Sequence, residues 1–245
     1  MRHLQPIGPD IESFEEVLDL LDSDRLETTE GGSVLNTNMV MSLDGAFSAD
    51  GVSAGLSSEA DHQLFLANRM LADVILVGAA TVREERYRRP QVHPAAAAIR
   101  ERRGQDPVPR LVITSASLDL GHDSPLLSGD GPPPVLAHPA NADTSSAPVG
   151  VELLRLSGEK LDMDELVGEL TAQGAQRITC EGGPSLLGQL AASSLIDEYL
   201  LTLSPVLLGG TDVGLLGGTS VGREEYALHR VLRRADHLMC SFRRR

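Results

Sequence analysis

Apolar residues fall into two alternating patterns along this chain: short unbroken runs and stretches with helical spacing. The runs at residues 74–78, 110–114, 135–138, 151–156 and 176–180 have the length of strands covered on both faces, as in a parallel sheet. Residues 34–41 are β-prone and lead into Ser42-Leu43-Asp44-Gly45, where Asp-Gly marks a turn. A further strand is expected over 199–203. Between these runs, helical spacing predicts helices from an N-cap at Ser57 or Ser58 to about Leu71, over 79–85, over 162–173 and from 184 to about 193. Residues 91–109 read as a variable excursion with a short helix, 119–134 as loop, and 226–242 as two antiparallel strands. The alternation predicts an α/β fold, a mostly parallel central sheet with helices on both faces and antiparallel C-terminal strands. Residues 1–30 read as an acidic N-terminal extension whose peripheral helix spans 11–21. No linker divides residues 31–245, so they are expected to form one domain.

Composition narrows the function. A chain of 245 residues buries roughly 70–75% of its unfolded surface and needs no metal or disulfide to hold a core. Its two cysteines, Cys180 and Cys240, cannot build a disulfide framework. With no secretory signal and no long apolar run, a reducing cytoplasm is expected and no membrane partner. The net charge of −14 argues against nucleic acid, whose phosphates need clustered cations. Twenty of the 21 basic residues are arginine and Lys160 is the sole lysine, which disfavours Schiff-base chemistry. The arginines cluster over 83–103, a place to look for an anionic small ligand.

Three strand ends could carry chemistry. Glu181-Gly182-Gly183-Pro184-Ser185 follows a strand and opens a helix. Two glycines let the backbone approach a ligand, and free N–H groups of the first turn favour an anion such as pyrophosphate. An ordinary tight turn explains the same residues. Val77-Gly78-Ala79-Ala80-Thr81-Val82 lies at another strand end, where small residues admit a flat ring or simply close packing. Ser115 follows a third strand, as a ligand contact or a cap. Cys180 has no histidine beside it in sequence and reads as structural. The seven histidines lack metal-ligand spacing, so no metal is expected.

The ordered set Ser42-Leu-Asp-Gly45, Arg69-x-x-Ala-Asp73, Val77-Gly-x-x-Thr-Val82, Glu181-Gly-Gly-Pro-Ser-Leu186, Asp197-Glu198 and Pro205-Val-Leu-Leu-Gly-Gly210 resembles the reductase domain of bacterial riboflavin biosynthesis. The resemblance covers about residues 33–243 and implies a dihydrofolate-reductase-like fold. It also implies a homodimer and NADPH-dependent reduction of 5-amino-6-(5-phosphoribosylamino)uracil to the ribitylamino compound. By motif, it places Met41, Asp44, Gly78, Thr81, Glu85, Ser115, Gly183, Pro184, Ser185, Leu186 and Leu187 at the cofactor. Glu181 becomes a substrate-contacting acid or proton relay, and Arg69 an arginine on the substrate side.

Three departures bear on the substrate. The zinc motif of fused deaminases is missing from the sequence. Asn38 stands where relatives often place lysine. Thr-Val-Arg-Glu-Glu-Arg-Tyr replaces the usual Thr-Val-x-x-Asp-Asp-Pro, so Arg86 and Arg89 are expected to supply substrate-side charge. Competing expectations are a dihydrofolate- or pteridine-type reductase on the same fold, and a non-catalytic NADPH-binding regulatory protein. The apolar run over 195–203, placed near a sheet edge, is a candidate dimer interface that core burial explains equally well.

Overall fold

A computed structural model describes residues 13–28, 30–49, 51–209 and 214–245. The predicted runs become strands β1 (Val34–Met41), β2 (Val74–Gly78), β3 (Arg110–Thr114), β4 (Val135–His138), β5 (Glu152–Arg155), β6 (Arg177–Cys180), β7 (Glu198–Leu203), β8 (Tyr226–Arg234) and β9 (His237–Arg244). They form one sheet in the order β5-β4-β3-β2-β6-β1-β7-β9-β8. All neighbours from β5 to β7 are parallel, whereas β9 runs antiparallel to β7 and β8 antiparallel to β9. This is the dihydrofolate-reductase-like arrangement expected from the sequence.

Among the described residues six α-helices cover the sheet: α1 (Phe14–Ser23), α2 (Glu59–Leu71), α3 (Ala79–Glu84), α4 (Pro94–Arg102), α5 (Met163–Ala172) and α6 (Pro184–Ala192). Alternate residues of a strand face opposite layers. Val74 and Leu76 of β2 join Leu166, Leu170, Leu187 and Leu190 of α5 and α6 on one face. Ile75 and Val77 join Val82, Leu118 and Leu126 on the other. Helix α1 lies at the margin, yet Val17, Leu18 and Leu21 are buried with Leu64 and Leu71 of α2 and Ile99 of α4. Among the described residues no helix is long and apolar enough to cross a membrane.

The segment 195–203 is not at an edge: β7 lies between β1 and β9, and the sheet ends at β5 and β8. Its apolar run is explained by interior position, with Leu200 and Ile196 buried.

Candidate active site

The parallel strands β1, β2 and β6 end on the same side, and a cavity of about 720 Å³ opens there between the strand ends, α2 and the turn after α3. That volume is typical of a small-molecule site. Helix α2 forms one wall. Ser58 caps it, accepting from the Asp61 N–H at 3.2 Å, and Glu59 and Asp61 in the first turn with Arg69 in the last suit the helix dipole. Leu64 and Leu71 face the core, while Ser58, His62, Phe65 and Arg69, three or four residues apart, share the face that lines the cavity.

Glu181, just past β6, is held there by three bonds. Arg69 donates from Nε to Oε1 at 2.8 Å and from Nη2 to Oε2 at 2.6 Å, and the Tyr87 hydroxyl donates to Oε2 at 2.7 Å. The Glu181 side chain is 1% exposed and that of Arg69 16%. A forked guanidinium matches a carboxylate in geometry as well as charge. The guanidinium also lies 4.8 Å from the Phe65 ring centre and 5.1 Å from that of Tyr87. Burial works against the Arg69 charge, but the adjacent carboxylate outweighs it and raises the pKa. Burial first, then the same carboxylate, pushes the Tyr87 phenol well above its ordinary value and keeps it protonated. Tyr87 reaches this place because Arg86 adopts φ +50°, ending the turn after α3 and folding the chain back so that the Tyr87 N–H meets Val82 O at 3.0 Å.

Asn38 is buried on the cavity floor, and its side-chain oxygen has no hydrogen-bond partner among the described residues. Gly183 is close beside Thr81: a β-carbon there would stand 2.6 Å from Thr81 Oγ1. Gly78 is tied to the same turn through its N–H to Gly182 O at 2.8 Å. Glu85 lines the cavity and accepts from the Ser53 N–H at 2.7 Å.

Of the expected site residues, Asn38, Arg69, Thr81, Glu85, Arg86, Glu181, Gly183 and Pro184 line this cavity. The others lie elsewhere. Arg89 is directed away, donating to the carbonyls of Leu126 at 3.2 Å and Gly131 at 2.7 Å, so it supports a loop rather than a substrate charge; Arg88 stands at the cavity instead. Ser115 is buried and its hydroxyl caps a turn, accepting from the Leu118 N–H at 2.9 Å. Leu186 and Leu187, on α6, are buried in the core. Asp44 accepts from Ser42 Oγ at 2.6 Å and from the N–H groups of Leu208 and Gly209, bonds that pull its pKa down to about 2. It clamps the turn after β1 to the segment after β7, and Met41 precedes that turn. Ser185 is exposed at the start of α6, next to Gly217, whose β-carbon would stand 3.0 Å from the Ser185 nitrogen. Cys180 is fully buried and burial pushes its thiol up to about 12, which suits the structural role read from the sequence.

Sequence reasoning passed over Tyr87, Phe65, His62 and Phe47. A signal existed: Phe47, Phe65 and Tyr87, three of only seven aromatic residues, line one cavity. Among the described residues no group of three or more His, Cys, Asp or Glu is placed to hold a metal.

A mostly parallel sheet with antiparallel last strands, and a cavity beside a glycine turn at its strand ends, define a dihydrofolate-reductase-like domain. The chain belongs to the RibD C-terminal domain family, which it matches over residues 33–235. It is 29% identical over 206 residues to the 2,5-diamino-6-ribosylamino-4(3H)-pyrimidinone 5′-phosphate reductase of Methanothermobacter thermautotrophicus, covering 81% of this chain and 90% of that one. The protein of the same name from Aquifex aeolicus is 28% identical over 170 residues, covering 67% and 71%. A pyrimidine reductase-like protein from Corynebacterium diphtheriae superimposes with a TM-score of 0.83 at 22% identity, covering 93% of this chain and 98% of that one.

Proposed function

We propose that the chain is an NADPH-dependent reductase of riboflavin biosynthesis, acting on a phosphoribosylamino-pyrimidine such as 5-amino-6-(5-phosphoribosylamino)uracil. The observation that carries this reading is a cavity at the strand ends walled by the Arg69–Glu181–Tyr87 group, with Asn38 among its lining residues. Asn38 is the lining residue offered to the pyrimidine. Arg86 and Arg88 at the cavity supply positive charge for the phosphate. Thr81, Glu85, Gly183 and Pro184 line the cavity at the first turn of α6, whose free N–H groups suit the NADPH pyrophosphate. The bound cofactor supplies the hydride. The chain's own residues orient the reacting carbon, exclude water and hold protons in place.

Glu181 positions Arg69 and Tyr87 rather than shuttling a proton. Its side chain is 1% exposed and three of its roughly four lone-pair sites already accept bonds from those two residues. The protonated Tyr87 phenol is the proton-bearing group beside it. The homodimer reading is supported by the outer face of β7, β9 and β8. Leu238 and Leu228 are exposed there, and Leu203 and Phe242, paired across the strands with them, are half-buried. Sedimentation equilibrium checks it.

The decisive experiment mixes the purified protein with NADPH and enzymatically prepared substrate and follows the nicotinamide absorbance. Loss of absorbance with this substrate and none with dihydrofolate is expected. Oxidation with dihydrofolate alone overturns the substrate, and NADPH binding without oxidation by either overturns the enzyme reading.

A further inference from the structure

At the other end of β6, four residues and roughly 13 Å from Glu181, lies a second cavity of about 60 Å³. It is lined by Arg25, Thr28, Asp73, Arg103, Gln105 and Arg177, among others. Arg177 is 9% exposed, and among the described residues its guanidinium has neither a hydrogen bond nor an ion pair; its Nε is fully enclosed. The neighbouring charges are already committed. Asp73 accepts from the N–H groups of Gln176 and Arg177 and from Gln105 Nε2, at 2.9, 2.8 and 2.6 Å. Glu198 is bound to Arg243 and Ser241, Arg103 pairs with Asp22, and Arg25 with Glu27. Burial, aided by Arg103 and Arg25 and opposed by Glu198 and Asp73, pulls the Arg177 pKa down to about 10, still charged at neutral pH. A buried cation that keeps its proton needs a counter-charge.

A guanidinium presents paired N–H donors that match two oxygens of an oxyanion better than the single point charge of chloride. We propose that the cavity binds a small oxyanion, hydrogen phosphate or bicarbonate, whose oxygens accept from Arg177. About 60 Å³ corresponds to roughly two waters of liquid volume, room for an ion of this size.

The test is thermal unfolding of the full chain at constant ionic strength, titrated separately with phosphate, bicarbonate and chloride, with no substrate present. A rise of about 3–6 °C is expected at ten times the dissociation constant for one or both oxyanions, growing logarithmically with further anion. Chloride is expected to give less. The rise is expected to fall away in R177M and persist in R88A, the cavity-rim variant at the opposite end. No rise, an equal response to chloride, or a response undiminished in R177M overturns the proposal. Should R177M fail to fold, crystals of the wild-type protein grown in phosphate or bicarbonate decide. Oxyanion density on Arg177 is expected, and water alone overturns it. Neither readout depends on reductase activity.

Discussion

The two ends of β6 bury charge in opposite ways. Past the C-terminal end, Glu181 is almost wholly enclosed, yet a guanidinium fork and a phenol occupy its oxygens. At the N-terminal end, Arg177 is enclosed with no partner among the described residues. A buried charge with a fixed counter-charge is a rigid fixture that can aim neighbouring groups at a ligand. One without a counter-charge is suited to a mobile ion. The same strand therefore carries a preset clamp at one end and a lone buried cation at the other.

The contrast is sharpest in two arginine deletions. Arg69→Met strands Glu181 as a buried lone carboxylate and is expected to cost about 3–5 kcal/mol in urea unfolding. Arg177→Met removes a lone charge, so in anion-poor buffer it is expected to leave stability unchanged or raise it. Equal losses in both would erase the distinction. Tyr87→Phe keeps the arginine fork and removes one bond to a charged acceptor, for an expected loss of about 1.5–3 kcal/mol by the same measurement. Gly183→Ala sets a β-carbon against Thr81 and is expected to cost about 1–3 kcal/mol. Adding Thr81→Ala should recover most of that, and a double-mutant cycle showing no coupling would place the strain elsewhere.

Smaller effects probe single groups. Asn38→Ala removes an oxygen with no hydrogen-bond partner among the described residues, so the stability loss is expected to be smaller than for Arg69→Met. The substrate KM is expected to rise about tenfold with kcat little changed, and an unchanged KM removes Asn38 from recognition. The Asp44 carboxyl sits at about 2 in the folded chain, below its ordinary value, because of Ser42 first and then the N–H groups of Gly209 and Leu208. Its contribution is therefore present above about pH 4 and lost as pH falls toward 2. Asp44→Asn is expected to flatten that part of the acid unfolding curve.

Strands and helices were legible because their signals are local. The run Val74–Gly78 and the Ser58 cap with its α2 stripe state their own structure within a few residues. The site was legible only where one short segment carries it, as at Thr81, Glu85 and the Glu181-Gly-Gly turn. Arg69 and Glu181 were matched separately, 112 positions apart, and nothing in either segment shows that they bond. Tyr87, 94 positions from Glu181, stood within a segment noted for its arginines, and the left-handed Arg86 that aims it has no sequence signature.

The fate of the arginines shows the same boundary. Arg86, Arg88 and Arg89 are interchangeable in composition, yet two line the cavity and the third braces a loop by its carbonyls. The sequence by itself determined the order of elements, the parallel sheet and the glycine turn at its edge, since hydrophobic period and turn chemistry act over neighbouring residues. Only the tertiary structure decided which buried charges are paired. Pairing depends on side-chain directions that converge from distant segments, and in a low-dielectric interior that convergence separates a fixed clamp from a lone buried cation.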